Sequence, residues 1–189
     1  MHIRSAKKED SIKAAQLIYS AYHEIANLIT GEDDEHAILA TLQTYFEQDV
    51  NRLSYRNTLV AEVDGQVAGI LIAYHGSDEL QLDVPIERYL QQKFGKAVTL
   101  PREAEDDEFY VDALAVDPAF SGRGIGTALL TAVEKLAQER GYSKLSLNVE
   151  LSNEGAHRLY RKAGYQEHGT WKIGKDTFWH MLKLVESGA

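Results

Sequence analysis

Cysteine is absent from the 189 residues. That excludes a disulfide framework, a thiolate metal site and a cysteine nucleophile, and it fits a reducing compartment. Long apolar runs are missing too. None approaches the roughly 18 residues of a membrane span, and the opening MHIRSAKKEDS lacks the apolar stretch of a secretory signal. A cytoplasmic protein with no membrane partner is expected. Cations are scarce, with 20 Lys+Arg against 29 Asp+Glu and a net charge of −9. Such a surface repels nucleic-acid phosphates, so no nucleic-acid partner is expected and a neutral or cationic one is favoured. The deficit is uneven: residues 1–139 hold 12 basic and 24 acidic side chains, whereas residues 140–189 hold 8 basic and 5 acidic. The seven histidines show no paired spacing of the HExxH kind, so no metal is expected.

What is present is ordinary for a folded domain: 44% hydrophobic and 26% charged residues. The length predicts one domain over 1–189, with 76–107 a possible insertion. Residues 2–6 read as a strand. Ile12, Ala15, Ile18, Tyr22, Ile25 and Ile29 recur at helical spacing and predict one helix that stops at Gly31. A second helix opens on Glu32-Asp33-Asp34-Glu35, with Leu39, Leu42, Phe46 and Val50 as its apolar face. Residues 57–63 and 66–75 form a hairpin about Asp64-Gly65. Val84, Ile86, Tyr89, Leu90 and Phe94 predict a helix with Pro85 in its first turn, followed by an acidic loop from Glu103 to Glu108. Residues 109–116 read as a central strand. A helix carrying Ile125, Leu129, Val133 and Leu136 follows, then a strand at 144–149, a helix at 153–163 capped by Asn153, and an antiparallel pair at 165–172 and 176–184. This is a mixed α/β (α+β) arrangement.

The densest chemical signal is Val116-Asp117-Pro118-Ala119-Phe120-Ser121-Gly122-Arg123-Gly124-Ile125-Gly126-Thr127. A strand ends, three glycines alternate, and a helix begins directly on them. Glycine permits unusual dihedrals and close backbone approach, and a helix N-terminus offers free N–H groups with a positive dipole end. Arg123 adds a charge. The segment is an anion cradle suited to phosphate or pyrophosphate. No Gly-Lys-Ser/Thr follows, which excludes a P-loop. Leu129 occupies the third slot of a dinucleotide fingerprint, which excludes that motif.

LAVDP-x-x-x-GRGIG-x-x-LL resembles the acetyl-CoA signature of the GNAT superfamily of N-acetyltransferases. Gly124 and Gly126 fill the small positions of its Gln/Arg-x-x-Gly-x-Gly/Ala pattern, whereas Ser121 stands where Gln or Arg is usual. Downstream, Asn153-x-x-Ala156-x-x-x-Tyr160-x-x-x-Gly164-Tyr165 resembles a second motif of the family. The resemblance implies a central, mostly antiparallel twisted sheet of six to seven strands flanked by helices. It implies acetyl-CoA as co-substrate, an amine acceptor, most simply a small molecule, and the option of a homodimer. It implies that the strand at 109–116 carries a bulge and splays from the strand at 144–149, with pantetheine in the gap along Leu114, Ala115 and Val116 and the Leu114 N–H bonding the thioester carbonyl as an oxyanion donor. Pyrophosphate is expected on Ser121, Gly122, Arg123, Gly124, Ile125, Gly126 and Thr127. Asn153 is expected beside the pantetheine arm or only as a helix cap. Tyr160 is expected near the sulfur as the acid that protonates the leaving thiolate.

Two carboxylates are candidates for the base. Asp112 is the charge inside an apolar strand, and strand alternation places it on the face of Tyr110 and Leu114. Glu108 begins the same strand and would act through water. The family's acceptor pocket implies Tyr22, His23, Glu24, Asn27, Phe46, Trp171 and Trp179, although Tyr22 and Phe46 also lie on apolar stripes, and His75 at a strand end reads mainly as structural. Arg158, Arg161 and Lys162 place positive charge beside the cofactor side. A protein or peptide amine as acceptor, and a non-catalytic acyl-CoA-binding regulatory domain, are the alternative readings.

Overall fold

The computed structural model describes residues 1–186. Its strands are β1 (His2–Ser5), β2 (Thr58–Val63), β3 (Gln66–His75), β4 (Phe109–Val116), β5 (Lys144–Glu150), β6 (Gln166–Ile173) and β7 (Asp176–Leu184). Its helices are α1 (Ser11–Tyr22), α2 (Glu24–Thr30), α3 (Glu35–Glu47), α4 (Glu79–Phe94), α5 (Ile125–Glu139) and α6 (Glu154–Lys162). The seven strands form one sheet in the order β1-β2-β3-β4-β5-β7-β6. Every neighbouring pair is antiparallel except β4–β5, which is parallel. The mixed architecture expected from the sequence is therefore the one observed.

Two apolar layers hold the sheet. On one face, Ile18, Ile29, Ile38, Leu42, Phe46, Ile86 and Leu90 from the first four helices pack on Val60, Ile70 and Ile72. On the other face, Ile125, Leu129 and Val133 of α5 pack on Leu71, Phe109, Val111 and Leu147. Among the described residues no helix is long and apolar enough to cross a membrane. Asp64 and Gly65 take φ of 52° and 76°, the left-handed pair that a two-residue type I′ hairpin requires.

Three elements depart from the sequence expectation. The helix expected from Ser11 to Gly31 is two helices, broken at His23 with φ 47° and ψ −120°. The spacing of Tyr22 and Ile25 bridges the break, so periodicity alone did not reveal it. Helix α4 starts at Glu79, which places Pro85 well inside it. Its inward positions include Glu79 and Asp83 ahead of Ile86 and Leu90, so the early turns carry carboxylates where a periodicity reading looks for apolar groups. In α3 the buried residues are Ile38, Leu42, Tyr45 and Phe46, whereas Val50 is exposed.

The feature that shapes the site is a bulge in β4. Ile72 pairs with Ala113 and Ala73 with Val111, leaving Asp112 without an opposite residue. One extra residue reverses the side-chain parity along the strand. Phe109 and Val111 before the bulge share the α5 face with Leu114 and Val116 after it, whereas Ala113 and Ala115 turn to the α1 face. Asp112 therefore does not share a face with Leu114, contrary to strict alternation: its carboxylate meets Tyr22 of α1 and the buried Arg52.

Candidate active site

The parallel ladder between β4 and β5 is short. Phe109, Tyr110 and Val111 pair with Leu145, Ser146 and Leu147, and there the pairing stops. Beyond it the strands diverge around a cleft of about 280 Å³, lined by Leu114, Ala115 and Val116 on one wall, and by Val149, Asn153 and Tyr160 on the other. Backbone groups on the β5-facing edge of β4 have no ladder partner past Val111, so they are open to an extended ligand, as at any sheet edge.

At one end of the cleft lies the glycine turn. Gly122 and Gly124 have φ of 75° and 73°, and Gly124 is the residue on which α5 begins. The first turn of α5 has no side-chain cap. Its first backbone bond across the boundary runs from the Ala128 N–H to the Gly124 carbonyl, which leaves the preceding N–H groups for an anion. Gly126 differs from its neighbours. Its φ is ordinary, and a Cβ there would lie 3.4 Å from Leu159 and 3.7 Å from Leu114. The turn does not need a glycine here for its dihedral; its bare Cα lies beside Leu114, which lines the cleft. Ser121, Arg123 and Thr127 are exposed around the turn, Ile125 is buried beneath it, and the Arg123 guanidinium lies over the Phe120 ring at 5.1 Å. The donors fit a pyrophosphate: free N–H groups, a helix dipole and one exposed cation.

Asn153 caps α6 by accepting from the Ala156 N–H at 3.0 Å. That engages Oδ1, and its amide nitrogen has no partner among the described residues, so both expected roles are compatible. Tyr160 is buried against Tyr165 at 6.1 Å between ring centroids. Burial pushes its phenol up to about 12. It thus stays protonated across any ordinary pH, as a proton donor must.

The expected bases sit differently. Asp112 borders the cleft, but its side chain is 1% exposed and both oxygens are engaged. The Tyr22 hydroxyl donates to Oδ1 at 2.7 Å, and Arg52 donates through Nε to Oδ2 at 3.1 Å and through Nη2 to Oδ1 at 3.3 Å. Glu108 is buried and lies outside the cleft lining. Burial pushes its carboxyl up, but bonds from His180 at 3.0 Å and from the Glu105 N–H outweigh it and hold the group below its ordinary value.

A buried polar network missed at the sequence level centres on Arg52. Its guanidinium pairs with Asp83 of α4, with Glu103 and with Asp112. Desolvation pushes Asp83 and Glu103 up to about 7 against the pull of Arg52. The Tyr110 hydroxyl donates to Glu103 at 2.8 Å, and the Asn148 amide nitrogen donates to the Glu103 carbonyl, also at 2.8 Å. Asn148 Oδ1 faces His180 Nδ1 at 2.7 Å, and Trp171 packs on the His180 ring. A signal for Arg52 existed: between Lys13 and Arg88 the only cations are Arg52 and Arg56. His180 had one as well, a polar residue on the strand face of Phe178 and Leu182.

Of the acceptor-side candidates, Phe46 is wholly core and Tyr22 is core with its hydroxyl on Asp112. Asn27 donates to the Glu32 carbonyl. Trp179 packs near His157. His75 stacks on Tyr142 and bonds Ser77, outside the cleft lining. His23 and Glu24 border a second cavity of about 280 Å³ with Glu150, Lys175 and Asp176. Arg158 and Arg161 are paired with Glu154 and Glu167, so the positive charge expected on α6 is largely neutralised.

The Acetyltransferase (GNAT) family model matches residues 18–165. A ribosomal protein bS18-alanine N-acetyltransferase of Haemophilus ducreyi is 33% identical over 126 residues, 67% of this chain and 82% of that one. Among solved structures, an N-acetyltransferase from Staphylococcus aureus Mu50 superposes with a TM-score of 0.82 at 30% identity, covering 97% of this chain and all (100%) of that one. A second acetyltransferase crystal structure gives 0.81 at 33% identity, covering 98% of this chain and 100% of the other.

Proposed function

The chain belongs to the GNAT family of acetyltransferases, and on that footing we propose that it moves an acetyl group from acetyl-CoA to the primary amine of a small molecule in a ternary complex. The observation that carries this reading is the cleft: it opens where the β4–β5 ladder stops, has Tyr160 on its wall, and runs toward the uncapped start of α5 beside Gly126. In this reading the whole chain acts as one cytoplasmic acetyltransferase domain.

The N–H groups of the glycine turn, with Arg123, hold the pyrophosphate. The open edge of β4 from Leu114 to Val116, with Asn153 opposite, holds the pantetheine arm. The Leu114 N–H donates to the thioester oxygen and strengthens as that oxygen gains charge, a contribution of about 3 kcal/mol for a well-placed donor. The amine attacks directly, since no cysteine exists to form an acyl-enzyme. Tyr160 gives its proton to the departing thiolate. Asp112 and Glu108 would serve as bases only through water, because their oxygens are already engaged.

An α-amino group of a protein is the second reading, favoured by the name of the Haemophilus ducreyi relative. One experiment separates the two: acetyl-CoA is offered with a panel of small amines and of peptides differing in their N-terminal residue, and free thiol is followed. Thiol release with small amines supports the first reading. Release with peptides alone replaces it with the second. CoA binding with no release from any amine removes both.

A further inference from the structure

Resting on the acetyl-transfer reading, we infer that His23 is the residue that takes the proton from the acceptor amine. The first observation is conformational. His23 has φ 47° and ψ −120°, the conformation of the first central residue of a type II′ turn, which glycine normally supplies. A side chain there is strained, and such strain persists where a site requires it. The second is that the strain is not offset by burial or bonding. The His23 side chain is exposed, and its imidazole makes no hydrogen bond among the described residues. Only its backbone is used, donating to Tyr19 and accepting from Ala26.

The third observation is position. His23 borders both the cleft that contains Leu114 and Tyr160 and the adjoining cavity. The chain just before it is fixed by Tyr22, whose hydroxyl is tied to Asp112 and through it to Arg52. The charged groups around His23 are Glu24 at the start of α2, Asp112 on β4, Glu150 on β5, and Lys175 and Asp176 at the last hairpin. Glu24 is paired with Lys175, and Asp112 with Arg52. The unpaired surroundings are thus acidic and suit an ammonium group.

The proton balance is complete. An alkylammonium loses one proton to the His23 imidazole, which passes it to solvent at its exposed side. The freed lone pair attacks, the N–C bond forms and the C–S bond breaks. The second amine proton leaves nitrogen as the amide forms and goes by way of the same imidazole to solvent, while Tyr160, having given its proton to the thiolate, regains one from solvent, so that one proton is released per turnover.

The test compares His23→Gly and His23→Gln with the wild type. Glycine relieves the strained dihedral, so His23→Gly is expected to melt higher than the wild type while its kcat/KM for the amine falls at least tenfold. His23→Gln is expected to lose activity similarly. In both, the acidic-limb rise of kcat/KM with pH expected of the wild type is displaced or lost, and KM for acetyl-CoA stays within about twofold, as the loss of a proton acceptor predicts. An unchanged kcat/KM or pH profile in an active enzyme overturns the role of His23 and leaves acetyl transfer standing. A lower melting temperature in His23→Gly overturns the strain premise. No thiol release by the wild type with any amine overturns the acetyl-transfer reading itself, and His23's role with it.

Discussion

The Tyr22 hydroxyl donates to Asp112 Oδ1 at 2.7 Å, joining the last residue of α1 to the bulged residue of β4. The phenol is held as a donor, because burial first, and the Asp112 charge next, push it well above its ordinary value. This bond sets where α1 ends relative to the cleft. Tyr22→Phe is therefore expected to cost about 1–2 kcal/mol in denaturant unfolding and to raise KM for the amine more than KM for acetyl-CoA.

Arg52 balances three buried carboxylates. Arg52→Met removes the guanidinium that pairs with Asp112 and leaves charge uncompensated in the core. A loss of about 3–5 kcal/mol is expected at neutral pH, shrinking as the solution is acidified and Asp83 and Glu103 take up protons. A loss that is the same at pH 5 and pH 8 would contradict the role given to Arg52.

The same groups set the pH dependence of the intact protein. Asp83 and Glu103 have folded-state values raised to about 7, above their unfolded ones, so the folded state binds more protons between about pH 4 and pH 7. Stability from this source is full below that window and is lost as pH rises through about 7. Glu108 and Asp10 are lowered, and their contribution is lost as pH falls through the acidic range. Calorimetric melting is expected to peak in mildly acidic solution and to decline on both sides.

In the proposed mechanism Tyr160 is the acid. Tyr160→Phe is expected to lower kcat by about tenfold or more with little change in acetyl-CoA affinity. Because the phenol sits near 12, the wild-type rate should show no loss attributable to Tyr160 up to about pH 10. Unchanged turnover in the variant would remove it from the mechanism.

Gly124 and Gly126 separate conformation from space. Gly124→Ala forces a side chain into a left-handed residue and is expected to cost about 1 kcal/mol of stability. Gly126→Ala enters ordinary helical backbone and is expected to gain up to about 1 kcal/mol, while its methyl group faces Leu114 and Leu159 and weakens CoA binding. Calorimetric titration with CoA beside thermal melting reads both.

The glycine turn, its helix, the Asp64-Gly65 hairpin and the Asn153 cap were legible because each depends on local chemistry within a few residues. The break at His23 was not, because the apolar spacing of α1 runs on into α2. The early start of α4 was hidden because its inward positions carry Glu79 and Asp83, whose partners come from other segments: Arg52 for Asp83 and the Glu103 N–H for Glu79. The face of Asp112 was misread because alternation assumes an unbroken pleat; the family resemblance implied a bulge in this strand, but its position at Asp112 is fixed only by the pairing with β3.

The short β4–β5 ladder makes the sheet two leaves sewn together by a seam of three residue pairs. Across that seam run bonds of another kind: His180 on β7 to Glu108, and Asn148 on β5 to Glu103 and Tyr110. The angle between the leaves is consequently a property of side chains as much as of backbone. A substitution among these side chains can therefore change the width of the gap between the leaves while leaving the strand order untouched.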